Sequence, residues 1–125
     1  MATRVLSGGP LTGAVTTFAP ASAWTDPAPG DLVKQSTGGA YQLAECADTN
    51  VPIGVVTEVS DDGAVLAVEL FTSGAIARLP YTGNPSLGQQ IQASAATKVK
   101  GVASGGVGLI VGRDLVTGSV DVLFL

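Results

Sequence analysis

Histidine is absent from these 125 residues, cysteine occurs once, and charge is scarce. Each shortage closes a class of function. Without histidine there can be no Ser–His–Asp or Cys–His arrangement and no imidazole ligand for a metal. Cys46 stands alone, so an intrachain disulfide and a CxxC-type metal site are both excluded, and the residue reads as a small buried apolar group. The formal charge is −4, and the basic residues Arg4, Lys34, Arg78, Lys98, Lys100 and Arg113 are dispersed. Nucleic acid is therefore not an expected partner, because affinity for its backbone needs clustered cations that release counterions. No apolar run approaches the ~18 residues of a membrane span. Met1-Ala2-Thr3-Arg4 opens no signal-peptide core, so a membrane is not an expected partner either, and synthesis in a cytoplasm is expected.

Other patterns that could carry chemistry reduce to turns. Gly101-Val102-Ala103-Ser104-Gly105 lacks the GxSxG spacing of a nucleophile elbow, and Gly106-Val107-Gly108 followed by Gly112 is one residue too long for GxGxxG. Glu58, Asp61, Asp62 and Glu69 flank one expected hairpin without a DxDxDG loop, and turn chemistry accounts for Asp61 and Asp62. No catalytic residue, cofactor or metal is expected. The expectation is of a protein that is not an enzyme.

What the chain does contain is a repetition. Gly30-Asp31-Leu32-Val33, Ile53-Gly54-Val55-Val56 and the run from Gly63 to Phe71 are answered by Gly88-Gln89-Gln90-Ile91, Val107-Gly108-Leu109-Ile110 and the run from Gly118 to Leu125. A loop around Glu45 to Asn50 could hold the extra length of the first copy. Two copies of about 58 residues, made of short β-branched runs, are too few for a solenoid and are expected to complete one shared core. The fold class is all-β: a small barrel or sandwich built from two similar halves, over about 28–71 and 85–125, with an extended N-terminal arm.

Strands are expected near Asp31–Gln35, Ala40–Ala44, Ile53–Val59, Val65–Phe71, Ala75–Tyr81, Gln89–Ser94, Lys98–Gly101, Val107–Arg113 and Ser119–Leu125. Between them lie breakers such as Thr37-Gly38-Gly39, Asp61-Asp62-Gly63 and Thr82-Gly83-Asn84-Pro85. Ala93 to Thr97 could form a short turn of helix. The apolar ending Val120 to Leu125 is expected to be paired and buried.

Residues 1–27 differ in texture, with Gly8-Gly9-Pro10, Pro20 and Pro27 punctuating Ala, Thr and Ser. They read as an arm preceding a domain over 28–125. Ordering such a segment costs about 1–2 kcal/mol per residue, so it needs anchors. Val5, Leu6, Leu11, Val15, Phe18 and Trp24 are the candidate anchors for contact with a partner or a neighbouring subunit, and Ala14 to Ala19 could add as a strand to a neighbouring sheet edge; the alternative is that these residues fold back on the chain's own barrel. Deleting residues 1–19 is expected to leave a folded domain.

Pro29-Gly30-Asp31-Leu32-Val33, Ile53-Gly54-Val55-Val56, Ser73-Gly74-Ala75, Leu87-Gly88 and Val120-Asp121-Val122-Leu123-Phe124 together resemble the small head-decoration, or capsid cement, proteins of tailed bacteriophages. The resemblance spans roughly residues 28 to 125. It implies a virion structural protein made in the bacterial host cytoplasm that binds the outer surface of the head, often as a homotrimer, and reinforces joints between major capsid subunits. The implied partners are the major capsid protein and copies of itself. Only 13% of residues are charged, against about 25% in average soluble proteins, which fits an exterior partly covered by partners. Two alternatives share the texture. One is a phage tail, fibre or baseplate module; the other is a biotinyl- or lipoyl-type carrier domain displaying Lys98 or Lys100 on a hairpin.

Overall fold

The computed structural model describes residues 15–125. Ten strands follow one another: β1 (Val15–Pro20), β2 (Leu32–Gln35), β3 (Gln42–Glu45), β4 (Gly54–Val59), β5 (Leu66–Leu70), β6 (Ile76–Pro80), β7 (Gln90–Ala93), β8 (Val99–Val102), β9 (Leu109–Asp114) and β10 (Ser119–Leu123). The fold is all-β, with no helix among the described residues. Ala93 to Thr97 is a tight reversal instead, in which the backbone N–H groups of Ser94 and Ala95 both donate to the Lys98 carbonyl.

β1 to β5 close into a barrel in the order β1-β3-β2-β4-β5, with β5 returning to β1. β1 lies parallel to β3 and antiparallel to β5. Part of the expected arm is thus barrel wall: residues 15–20 supply the strand that closes the first repeat. Alternation explains the placement, because Phe18 turns inward opposite Leu66 while Thr17 faces out. Strand addition also satisfies backbone groups on both sides of β1, which a free arm would leave to water.

The second repeat follows the same path. β6 pairs antiparallel with β10 and β10 with β9, while β7 pairs with β8. A parallel bridge from Tyr81 to Val99 and an antiparallel bridge from Ile91 to Val107 join these two sheets as β1–β3 and β2–β4 are joined in the first repeat. The hydrogen bonds repeat in detail. Gly30 N donates to the Val56 carbonyl and Gly88 N to that of Ile110; Val56 N donates to Asp31 and Ile110 N to Gln89. The Ala28 N–H is received by the Asp31 carboxylate, and the Ser86 N–H by the Gln89 side-chain carbonyl. Each repeat also carries a bulge at the same place, at Thr57 between β4 and β5 and at Val111 between β9 and β10.

The glycine that both repeats place in the middle, Gly54 and Gly108, has a steric reason. A Cβ on Gly54 would stand 2.7 Å from the Glu69 carbonyl oxygen and 3.0 Å from Val68 Cγ1, and one on Gly108 would stand 3.0 Å from the Leu123 carbonyl oxygen and 2.6 Å from Val122 Cγ1. Closing so narrow a barrel brings these strands closer than any side chain allows.

The repeats do not share the single core that the sequence pattern suggested: the first fills the closed five-stranded barrel, and the second fills the space between the β6-β10-β9 sheet and the β7-β8 pair. Val33, Leu43, Val56, Leu66 and Val68 occupy the first, and Ala77, Leu79, Ile91, Val99, Ile110, Val120 and Val122 the second. The reason is closure: five strands in this order already enclose a full complement of inward side chains. The two units meet where Leu32, Cys46, Val55 and Phe71 of the first pack against the core of the second. Phe71 stacks on Phe124 with ring centroids 4.3 Å apart, Leu32 N donates to the Ala96 carbonyl, and Ala93 exchanges backbone hydrogen bonds with Thr49 and Asn50. Lys100 Nζ lies 2.7 Å from the Asp48 carboxylate across the same seam. The extra length of the first repeat is divided between this Ala47–Asn50 loop and the β2–β3 turn.

Candidate functional site

Ten large apolar side chains remain exposed among the described residues, and several cluster at the ends of the barrels. The most concentrated group belongs to the second repeat. Leu87 precedes the β7 turn, Val111 is the bulged residue of β9, and Leu115 and Val116 form the β9–β10 turn; the first three line one shallow groove with Gly112 and Arg113. Val116 is 96% exposed.

This turn is rigid for an identifiable reason. The Asp114 carboxylate accepts the backbone N–H groups of Val116 at 2.9 Å and Thr117 at 3.2 Å, and Gly118 N donates to the Asp114 carbonyl. Those N–H donors hold the Asp114 carboxyl below its ordinary range, with a smaller contribution from Arg78. Arg78 is itself fixed by Asp121, its cross-strand neighbour, through hydrogen bonds of 2.8 and 3.0 Å. Arg113 reaches back to Asn84 Oδ1 and the Pro85 carbonyl.

The first repeat carries a second apolar group. Tyr41 is exposed and held at a φ of 54°, beside Ala40, Phe18 and Val65. On the same barrel, Phe18, Gln35, Tyr41, Leu43, Ile53 and Leu70 line a groove of about 370 Å³.

The sequence-based candidates divide. Val5, Leu6 and Leu11 lie outside the described residues. Val15 is exposed at the start of β1, whereas Phe18 and Trp24 are partly buried and pack against the first core. Trp24 also walls a groove with Asp26, Pro27, Asp61 and Asp62. Its indole Nε1 is buried without a partner at hydrogen-bond geometry. The indole still lies close enough to the Glu45 carboxyl to pull its pKa slightly down; burial and then the Asp31 charge outweigh that pull and raise it.

The carboxylates flanking the β4–β5 hairpin do turn work. Asp62 accepts from the Ala64 N–H at 3.0 Å and from Ser60 Oγ at 2.7 Å, which lowers its pKa, while burial raises that of Glu69. No group of three or more potential metal ligands occurs among the described residues. Lys100 is engaged by Asp48, and Lys98 sits exposed at the β7–β8 turn. Cys46 is buried, and burial pushes its thiol up to about 11, with Lys34 opposing and Glu45 adding to the shift.

Sequence reading missed Leu87, Val111, Leu115 and Val116. A signal was present: Leu115-Val116 sits between Asp114 and Thr117-Gly118, inside a turn, where large apolar residues have no core to join. No family model matches the chain, and neither does any curated protein or solved structure.

Proposed function

We propose that this chain is a capsid decoration protein of a tailed bacteriophage, bound to the outer surface of the head and bridging major capsid subunits. The observation that carries the reading is the pre-ordered apolar turn at Leu115 and Val116, with Leu87 and Val111 beside it. Large apolar groups held in water by a hydrogen-bonded turn give a ready protein-binding surface, and a partner that covers them loses little conformational freedom in doing so. Low surface charge and the resemblance over residues 28 to 125 point the same way. A small contact suffices because decoration repeats it across the shell, and linked copies gain from avidity.

The test uses expanded heads assembled without this chain. Purified protein is expected to co-sediment with them and to raise their resistance to heat or chelation. The double variant Leu115→Ser, Val116→Ser is expected to fold normally and to lose most of its occupancy. Undiminished occupancy would remove this surface from the account, and failure of the parent chain to bind any head would remove the function.

A further inference from the structure

The duplication offers a template for an interface that the single chain leaves open. In the second repeat, the barrel end around Ala93, Val107 and Phe124 is covered by the first repeat, through Leu32, Cys46, Val55 and Phe71. Strand register fixes the counterparts. Gln35 pairs with Leu43 as Ala93 pairs with Val99, and Leu43 meets Pro20 of β1 as Val99 meets Tyr81 beyond β6. Ile53 donates its N–H to the Val33 carbonyl as Val107 does to that of Ile91. Gly54 faces Val68 to Leu70 as Gly108 faces Val122 to Phe124, which makes Leu70 the counterpart of Phe124.

Transferred to the first repeat, the covered end becomes Gln35, Ile53 and Leu70. These residues line the open groove of about 370 Å³ together with Phe18 and Leu43. Transferred to the second repeat, the covering face of Leu32, Cys46, Val55 and Phe71 becomes Gln90, Val102, Leu109 and Leu125. Leu125 is 79% exposed, although the apolar ending around it is paired through Leu123 and buried at Phe124. Groove and covering face thus lie on opposite repeats, the face with Leu125 exposed and Gln90, Val102 and Leu109 half-buried.

We propose that copies of this chain associate head to tail, with the Val102–Leu109–Leu125 face of one copy seated in the Phe18–Ile53–Leu70 groove of the next. The occupant is a second copy, because the counterparts of that face and that groove already pack together once, inside the chain. Such an interface is heterologous, and it closes into a ring if the rotation between neighbours divides a full turn. The contact between copies lacks the ion pair of the internal seam, since Ala44 stands where Lys100 meets Asp48, and it carries the amides Gln90 and Gln35 where the seam has Leu32 and Ala93. Association is therefore expected to depend on concentration and to tolerate salt. It stands apart from the capsid-binding role, because it is read in solution with no head present.

The experiment is sedimentation velocity and native mass spectrometry of the full chain over a range of concentrations, with two variants. Leu125→Asp removes the covering face, and Ile53→Glu, at a position 39% exposed, blocks the groove. The parent is expected to form one discrete closed oligomer and each variant alone to be monomeric with an unchanged circular dichroism spectrum. Mixing the two variants is expected to give a dimer and nothing larger, since one intact face then meets one intact groove. If either variant misfolds, truncation of Leu125 and Gln35→Arg replace them. A parent chain that stays monomeric overturns the proposal. So does an oligomer that survives both variants, or one abolished by only one of them, the mark of a two-fold contact.

Discussion

At the scale of single residues, the glycines that made the repeat visible are the ones the barrel cannot replace. Gly54→Ala would drive a methyl group against the Glu69 carbonyl, which is backbone and can yield only if β5 moves. The expected cost is about 1–3 kcal/mol, read as a lower midpoint in urea, and an unchanged midpoint would mean the strands are less closely apposed than described. Glu45 makes a different kind of prediction. Its folded-state pKa is raised from the ordinary 4.5, so its contribution is most favourable at acid pH and is lost as pH rises through the folded value. Glu45→Gln is thus expected to stabilise the protein at neutral pH, and this advantage should vanish as pH falls towards 4.5. A benefit independent of pH would point to packing instead. Cys46, buried with a thiol pushed up to about 11, is expected to resist thiol reagents at pH 8 until urea unfolds the chain; rapid labelling of the native protein would contradict its burial.

At the scale of elements, nine strands were legible because alternation and turn residues mark them, and all nine are present. β1 was the exception in kind. Thr16-Thr17-Phe18 follows a Gly/Pro-rich stretch and shares no glycine marker with its counterpart Ala77-Arg78-Leu79, so it read as a strand that an arm could lend to a neighbouring sheet edge. Only the partners β3 and β5, distant in sequence, make it a wall of its own barrel. The same limit hid the separateness of the two cores, since periodicity reports which face is inward but not which barrel it lines. The exposed Leu115 and Val116 were missed because turn residues were read for conformation rather than for what they display. The position of β1 changes the expected outcome of truncation. Removing residues 1–14 should leave the cooperative unfolding transition in place, whereas removing residues 1–20 should open the first barrel and abolish or broaden that transition. Deletion through residue 19 is therefore not expected to leave the folded domain that the sequence pattern implied. Equal stability of the two truncations would show that β1 does not close the barrel in solution.

At the scale of the whole molecule, a closed five-stranded barrel and a second unit that follows the same strand path are joined by an apolar seam and present hydrogen-bonded apolar turns to solvent. A composition with only 13% charged residues suits the proposed role, because residues that a partner covers gain nothing from charge and would incur its desolvation cost. The account of this molecule as a shell component rests on number as much as on shape: a decoration protein is made to be repeated, and a tail or baseplate module is not. Quantitative mass spectrometry of denatured virions that carry this chain measures that directly. Copy number comparable to that of the major capsid protein, with the polypeptide unmodified, is the expected result. A few copies per particle would contradict it in favour of a tail component, and absence from particles, or an adduct on Lys98 or Lys100, would contradict it altogether.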